Sequence, residues 1–411
     1  MRVLWLSHLL PYPPKGGVQQ RSFNLLREVS KRHEVLFTGT YQAAHQPTRR
    51  ELEEGRVALG QFCSVGELWP LPVDTRRLGK ARQAFTSLLA GGTYNVDWLR
   101  CPPVIAALEK AVATFAPDVM HFDTVGLAQY RQLRGVAKVP AVLNHHNVES
   151  HMLLRRAENA ANPALGAYFR IEGRRLESYE RRVGADFHMH FACSSNDRER
   201  LAGLLPGSRI EVVPNGVDLD YFTPAKEPQR VSRRLVFAGR LSWYPNDSAM
   251  RMFLKEVWPL LVARLPDVSI SVIGKGASAA LVAAASSDSR ITLPGFVPDV
   301  RPYIDEAEIY VCPIFDGGGT KLKILDALAM GAAIVAHPIA CEGIDVTNGE
   351  DVLFASTPQE FRDQIVRLLD DAALAARLRR NARKLAEQHY SFVNIGANLA
   401  SLLEETARAA R

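Results

Sequence analysis

The chain has 411 residues, 47% hydrophobic and 23% charged, ordinary values for a folded protein and a length that suits about two domains of roughly 200 residues each. Its net charge of +6 is uneven, because residues 1–205 carry 27 Lys and Arg against 19 Asp and Glu while the remainder carries 23 against 25. The basic half points to acidic partners such as anionic lipid or a phosphorylated molecule, and nucleic acid is excluded for want of zinc-ligand spacing, a recognition-helix signature or an aromatic platform.

Val3 to Ser7 reads as a buried strand, Pro11 to Gly17 as a Pro/Gly loop, and Gln19 to Lys31 as a helix with Phe23, Leu26 and Val29 as its apolar stripe. Glu34 to Thr38 is the next strand. That order opens a parallel, doubly wound α/β sheet, in which ligands bind beyond the carboxyl ends of strands. Lys15, Gly16 and Gly17 stand at that end, and a merely flexible turn is the less favoured reading there. Arg76 to Leu89 mixes basic residues with Leu78, Phe85, Leu88 and Leu89. The favoured reading is a helix facing the core with a solvated basic side; the other is a helix lying on a membrane surface.

Pro103 to Phe115 reads as a helix. Strands at 118–122 and 139–144 deliver His121 and Asp123, then His145, His146, Asn147 and Glu149, to one rim. Adjacent histidines cannot both enter one metal site from regular strand geometry, so the rim suits sugar hydroxyls better than a metal. Met152 to Val183 reads as one Arg-rich helix. Some of its arginines pair with Glu172, Glu177 and Glu180, and the unpaired remainder suits a phosphorylated acceptor. Strands at 187–194 and 210–213 lead to Pro214-Asn215-Gly216-Val217-Asp218, a turn signal, and a polar segment follows at 223–233. The domain boundary is expected there.

The alternation then restarts with a strand at 235–238 ended by Gly239-Arg240, a helix from about 247 to 264, and a strand at 268–273 ended by Gly274-Lys275-Gly276. Ile291 to Leu293 leads to Gly295-Phe296-Val297, and a short helix covers 300–307. Next come an apolar strand from Ile309 to Ile314, the turn Phe315-Asp316-Gly317-Gly318-Gly319, and a helix with Leu322, Leu325, Ala329 and Met330 at helical spacing. The first N–H groups of that helix lack intrahelical partners, and its dipole makes that end positive. Three glycines let an anion approach the bare backbone, and Lys321 and Lys323 add charge. A phosphate fits. The order Gly-Thr-Lys is not a Walker A ending, and G-x-G-x-x-G is absent, so a ligand-free turn is the alternative. Helices are expected at 358–369, 372–389 and 391–411.

Five cysteines, odd in number and without a C-x-x-C pair, fit a reducing cytoplasm. Cys193 and Cys312 lie in apolar runs and read as small core residues. The apolar run Arg2 to Leu6 is too short for a leader, and no apolar run is long enough to span a membrane. The expected location is cytoplasmic, at the inner face of the membrane.

Together Gly16-Gly17, Pro214-Asn215-Gly216-Val217-Asp218, Gly239-Arg240, Gly295-Phe296-Val297 and the glycine-helix unit cover nearly the whole chain in order. The set resembles the retaining GT-B glycosyltransferases of family 4, the glycosyl transferases group 1. Trp243-Tyr244-Pro245-Asn246, Gly-Gly-Gly-Thr-Lys-Leu-Lys and Cys341-Glu342-Gly343 resemble a branch of bacterial polysaccharide and exosortase-associated sugar transferases. The resemblance implies two doubly wound Rossmann-like domains facing a central cleft. Residues 1–205 would form the acceptor side, 206–233 a hinge, 234–390 the nucleotide-sugar side, and 391–411 a helix returning to the first domain.

It also implies roles. Gly318, Gly319, Thr320 and Lys321 would offer backbone N–H groups to the diphosphate of a nucleotide sugar, and Arg240 would bind the same group. Val297 would lie against the base, Asp326 would hold the ribose hydroxyls, and His146 would contact the donor sugar. Gly16-Gly17 would let the acceptor domain close on the phosphates. Where the family pairs two glutamates, this chain has Gly318 and Asp326, and Glu342 is the expected stand-in. The family's lysine after Gly-Arg is replaced by Ser242-Trp243-Tyr244, so Lys321 or Lys323 would supply the charge. Asp123 stands where many members carry a second histidine.

The implied reaction moves a hexosyl unit from a UDP- or GDP-sugar to a glycan or lipid-linked acceptor hydroxyl. The leaving phosphate takes the acceptor proton, configuration is retained, and neither cofactor nor metal is involved. Two other readings are a non-catalytic nucleotide-sugar-binding protein, suggested by Gly318, and a nucleotide-sugar epimerase, which would need no Arg-rich acceptor surface.

Overall fold

The first strand shows why the sheets form. Val3, Leu4, Trp5 and Leu6 are all fully buried, so the strand is apolar on both faces, as a parallel sheet covered by helices requires. Burying each such side chain contributes roughly 1.5–3 kcal/mol. The computed structural model describes residues 1–43, 48–75, 78–160, 162–227 and 229–410. The chain divides into two units, Met1–Pro214 with Val393–Arg411, and Asn215–Phe392.

The first unit contains β1 (Arg2–Ser7), β2 (Glu34–Tyr41), β3 (Ser64–Pro70), β4 (Val119–Phe122), β5 (Ala141–Asn144), β6 (Met189–Ala192) and β7 (Ile210–Val212). These form one parallel sheet in the order β3-β2-β1-β4-β5-β6-β7. The second contains β8 (Arg234–Ala238), β9 (Ser269–Ile273), β10 (Ile291–Gly295), β11 (Ile309–Cys312), β12 (Ile334–Ala336) and β13 (Leu353–Phe354). Their order is β10-β9-β8-β11-β12-β13, again parallel. Both sheets are doubly wound and Rossmann-like, as expected. The winding reverses between β1 and β4 in one and between β8 and β11 in the other, and such sheets hold ligands beyond the strand ends at that reversal.

The sheet edges differ from expectation. β3 has no buried residue and β13 is two residues long, so neither carries the apolar run by which the inner strands are read. The stretch 206–233 is shared, since β7 belongs to the first sheet while Asn215 onward counts with the second unit.

The single helix expected over 152–183 is two, Glu149–Glu158 and Pro163–Gly184. Pro163 excludes the helical conformation for the residue before it. Asn162 is accordingly extended, and its side chain accepts from the N–H groups of Ala164 and Leu165. The helix expected from about 247 runs from Tyr244 to Arg264 with one widened turn at Phe253–Val257. Pro259 follows that turn, and its missing N–H cannot bond back to Lys255.

Helix Gly79–Leu89 overturns the core-facing expectation. Leu78, Phe85 and Leu89 are 75%, 63% and 72% exposed, while Gly79 and Ser87 are buried. The reason is close approach. A Cβ at Gly79 would lie 2.1 Å from the Val73 carbonyl oxygen, and Ser87 is satisfied by Gln83 at 3.0 Å. The small, self-bonded side therefore faces inward. Arg76 and Arg77, part of the expected basic side, lie outside the described residues.

From Val393 the last helix, Phe392–Ala409, belongs to the first unit. Arg32 donates to Glu404 at 2.8 Å and to Ser401 at 3.1 Å. Gly396 lies where a Cβ would meet Glu28 Cβ at 2.2 Å.

Candidate functional site

In the second unit the loops leaving β8 and β11 meet at the reversal of the sheet. After β11 the chain turns through Gly317 (φ +98°) and Gly319 (φ +73°), conformations that favour glycine, and enters helix Leu322–Ala329. A Cβ at Gly317 would lie 3.1 Å from Pro245 Cγ, so the turn packs against the first turn of the helix that follows β8. Tyr244 Oη donates to Asp316 at 3.4 Å. Gly318, Gly319 and Thr320 are half-buried beside the helix N-terminus. Bare backbone at a helix N-terminus is able to receive an anion.

The two lysines do different things. Lys321 is buried, and its Nζ donates to the Gly317 carbonyl at 2.7 Å, so it braces the turn from within. Lys323 reaches across to the helix that follows β8. Its Nζ donates to Asn246 Oδ1 and lies 4.7 Å from the centroid of the Phe237 ring. The backbone of Gly239 runs so close that a Cβ there would be 2.4 Å from Nζ. Burial, with the charge of Lys321 adding to it, pushes the Lys323 ammonium down to about 8. Asn246 completes the link, donating from Nδ2 to the Arg240 carbonyl at 2.7 Å.

Arg240 is exposed, and among the described residues its guanidinium makes no hydrogen bond or ion pair. Val297 is half-buried just past β10, where the Gly295 carbonyl accepts from the Gly274 N–H at 2.9 Å. Asp326 is half-buried on the helix itself, and Glu342 follows the short turn Pro338–Cys341 beyond β12. One rim of one sheet therefore carries Arg240, Val297, the glycine turn, Lys323 and Glu342.

In the first unit Gly16 caps helix Gly17–Ser30, the first helix after β1. Asp123, at the end of β4, is the hub of a buried polar group. Ser7 and Ser22 donate to Oδ2 at 3.0 and 2.9 Å, and His146 Nε2 lies 3.4 Å from Oδ1. Burial alone would raise the Asp123 carboxyl, but the charge and hydrogen bond of His146 outweigh it and hold it well below the usual carboxylate range. Arg21, also buried, donates to Asn144 Oδ1 at 3.0 Å and to the carbonyls of Val213 and Pro214 at 2.7 Å each.

The expected row of histidines on this rim is corrected. His121 is buried in the strand, stacked on Trp5 with centroids 3.7 Å apart, and burial pushes its imidazole down to about 3. His145 points inward to His190, with ring nitrogens 3.1 Å apart, and burial holds it well below its ordinary value. Only His146 of the three sits beside Asp123 at the strand ends.

Arg21 and Asn246 were not among the expected site residues. Each follows a recognised signal by a few residues, Gly16-Gly17 and Gly239-Arg240, on the first turns of the next helix.

Comparison with known proteins agrees with this architecture. Residues 15–221 match the family model for Glycosyltransferase Family 4 and residues 232–371 the model for Glycosyl transferases group 1. A phosphatidyl-myo-inositol mannosyltransferase of Mycolicibacterium smegmatis is 31% identical over 139 residues, 32% of this chain and 35% of that protein. An uncharacterised 44.6 kDa protein from the cps region of Klebsiella pneumoniae is 25% identical over 164 residues, 38% of this chain and 42% of that protein. The matches thus span well under half the length of these relatives. Among solved structures, sucrose-phosphate synthase of Thermosynechococcus elongatus has a TM-score of 0.71 at 15% identity over the full length of both chains. Anabaena HepE in complex with UDP has a TM-score of 0.66 at 16% identity, covering 98% of this chain and 100% of that one. At these identities the likeness is one of fold, that of the GT-B glycosyltransferases. By the match over its first half, the chain belongs to Glycosyltransferase Family 4.

Proposed function

We propose that the chain moves a hexosyl unit from a UDP- or GDP-sugar to a hydroxyl of a glycan or lipid-linked acceptor, with retention of configuration and without a metal. The observation that carries this reading is that, where the second sheet reverses, the helix opened by the glycine turn is tied to the segment holding Gly239-Arg240 through Lys323 and Asn246. Breaking an anomeric C–O bond through an oxocarbenium-like transition state loads negative charge on the leaving diphosphate. Fixed N–H donors and cations aimed at that charge are the largest kind of stabilisation a protein offers. The planar fork of Arg240 suits phosphate oxygens. Gly318, Gly319 and Thr320 supply backbone donors, Asp326 takes the ribose hydroxyls, and Val297 lies against the base. His146, oriented by Asp123, is assigned the transferred sugar, and Glu342 the place of the absent glutamate. The structure of HepE with UDP supports this choice of donor.

Calorimetric titration with UDP, GDP, ADP and dTDP, with and without EDTA, tests the site. Micromolar binding of one nucleotide, unaffected by EDTA, is expected. Failure of all four reduces the glycine turn to a structural one. A nucleotide-sugar-binding protein without transfer is the second reading, favoured by Gly318 in place of a glutamate; it is told apart by binding without any release of nucleoside diphosphate.

Peripheral contact with an anionic membrane belongs to the same proposal. Among the described residues no helix is long and apolar enough to cross a membrane. Helix Gly79–Leu89, however, exposes Phe85 and Leu89 with Arg82 on the same side, the composition of a helix lying in a lipid surface. Phe85→Asp with Leu89→Asp is expected to lower co-sedimentation with phosphatidylglycerol vesicles by more than about tenfold, since each apolar side chain contributes roughly 1.5–3 kcal/mol when buried. UDP or GDP affinity is unchanged. Unaltered sedimentation removes this helix from the membrane contact.

A further inference from the structure

A cavity of about 370 Å³ opens in the first unit. Its wall includes His8 after β1, Gln42 after β2, Thr124 after β4 and Glu149 after β5, so it lies at the carboxyl ends of the strands that flank the reversal. The volume is at the small end of the range for small-molecule sites, roughly 300–1,000 Å³.

Two features define its chemistry. The first is a fixed aromatic wall. Trp98 Nε1 donates to the Asn95 carbonyl at 3.1 Å, the Tyr94 ring stacks beside it at 6.4 Å and 15°, and the His8 ring meets it edge-on at 6.2 Å. An indole held in this way needs no further ordering before a ligand stacks on it. Its electron-rich face attracts C–H groups, and a pyranose ring presents a face of them.

The second is a carboxylate already half-used. Glu149 accepts from Asn95 Nδ2 at 2.9 Å and from Thr124 Oγ1 at 3.0 Å. Each oxygen therefore keeps acceptor capacity for a hydroxyl of a ligand. An anionic ligand would meet Glu149 as a like charge, and Lys80, the lysine of the wall, is already matched by Asp74 at 3.0 Å. The charge balance favours a neutral, hydroxyl-bearing ligand over a phosphate. His8 links this cavity to the Asp123 group, its ring 6.2 Å from that of His146.

We propose that this cavity is the acceptor subsite and that it takes a neutral sugar ring, stacked on Trp98 and hydrogen-bonded by Glu149 and Asn95, rather than a phosphorylated one. The proposal rests on the transferase reading for the word acceptor. The sugar site itself rests only on the cavity. It narrows the acceptor to one whose receiving end is an uncharged glycosyl residue.

The test uses the full chain and saturation-transfer NMR with the methyl glycosides of glucose, galactose, mannose, rhamnose and N-acetylglucosamine. Inorganic phosphate and glycerol phosphate serve as competitors. At least one glycoside is expected to receive saturation at its ring protons. Trp98→Ala and Glu149→Ala are each expected to weaken it about tenfold, as loss of a stacked ring or a carboxylate partner should. Neither phosphate compound displaces it. A thermal melt checks that the variants fold, and if Trp98→Ala does not, Glu149→Ala carries the comparison.

The proposal falls if no glycoside binds, if both variants bind as the parent does, or if phosphate or glycerol phosphate displaces the sugar. The same sample is titrated with UDP and GDP. Glycoside binding without nucleotide binding would sink the transferase reading and leave the sugar site standing, and the reverse result would do the opposite.

Discussion

Replacing Arg240 with alanine is expected to cut sugar transfer by about 10²–10³-fold, the loss typical when one preorganised donor to a developing oxyanion is removed. The melting temperature should hardly move. The expectation of a clean separation comes from where the side chain is. Arg240 is exposed, and its guanidinium has no hydrogen bond or ion pair among the described residues, while the loop it stands on is fixed through its backbone by Asn246. Surface substitutions of that kind change stability by no more than about 0.5 kcal/mol. A side chain with no structural duty, on the segment that follows β8, is free to act in transition-state binding alone. Arg240→Lys should recover only part of the rate, because an ammonium keeps the charge and loses the two-pronged geometry. Initial rates of nucleoside diphosphate release, read beside a circular-dichroism melt, decide the matter. Full turnover in Arg240→Ala would take Arg240 out of the phosphate site.

Much of this site is legible in the residues because its parts are local. A strand, a glycine turn and a helix within Ile309 to Met330 are read from period and punctuation, and the alternation of parallel strands with helices places the strand ends on one rim. What is not legible is reach. Lys323 meets Asn246 across 77 positions and Asp123 meets Ser7 across 116, and nothing in either neighbourhood names the other. The histidines show a different limit. Strand geometry says that His145 and His146 point to opposite sides, but not that the inward one would find His190. Helix Gly79–Leu89 fails for a third reason. Its apolar side was expected to be its inner side, whereas close backbone approach at Gly79 decides the matter the other way. The break before Pro163 was available in the sequence, because a proline preceded by Asn is a helix start rather than a helix interior.

Nucleotide affinity is expected to fall as pH rises through about 8, and Lys323 is the expected cause. Its ammonium is pushed down to about 8, first by burial and then by the charge of Lys321. Below that value the free protein carries the charge that a diphosphate seeks; above it, the amine is neutral and the attraction is lost. The sign follows from linkage. An anion bound beside Lys323 raises its pKa, so in the interval between the free and bound values binding must take up a proton. Affinity then declines by at most about tenfold per pH unit, because one unit of pKa is 1.36 kcal/mol. The diphosphate is fully ionised throughout this range and contributes no slope. Calorimetry at pH 9 in two buffers of different ionisation enthalpy measures the uptake directly. Lys323→Met keeps the apolar stem over Phe237 and removes the charge, so it should weaken nucleotide binding at pH 7 and flatten the pH dependence together. Lys321→Met is the contrasting variant. Its ammonium holds the Gly317 carbonyl, so its loss should loosen the turn and lower affinity while the slope assigned to Lys323 persists. An unchanged slope in Lys323→Met would show that the titrating group lies elsewhere, and that Lys323 is held by Asn246 for structure alone.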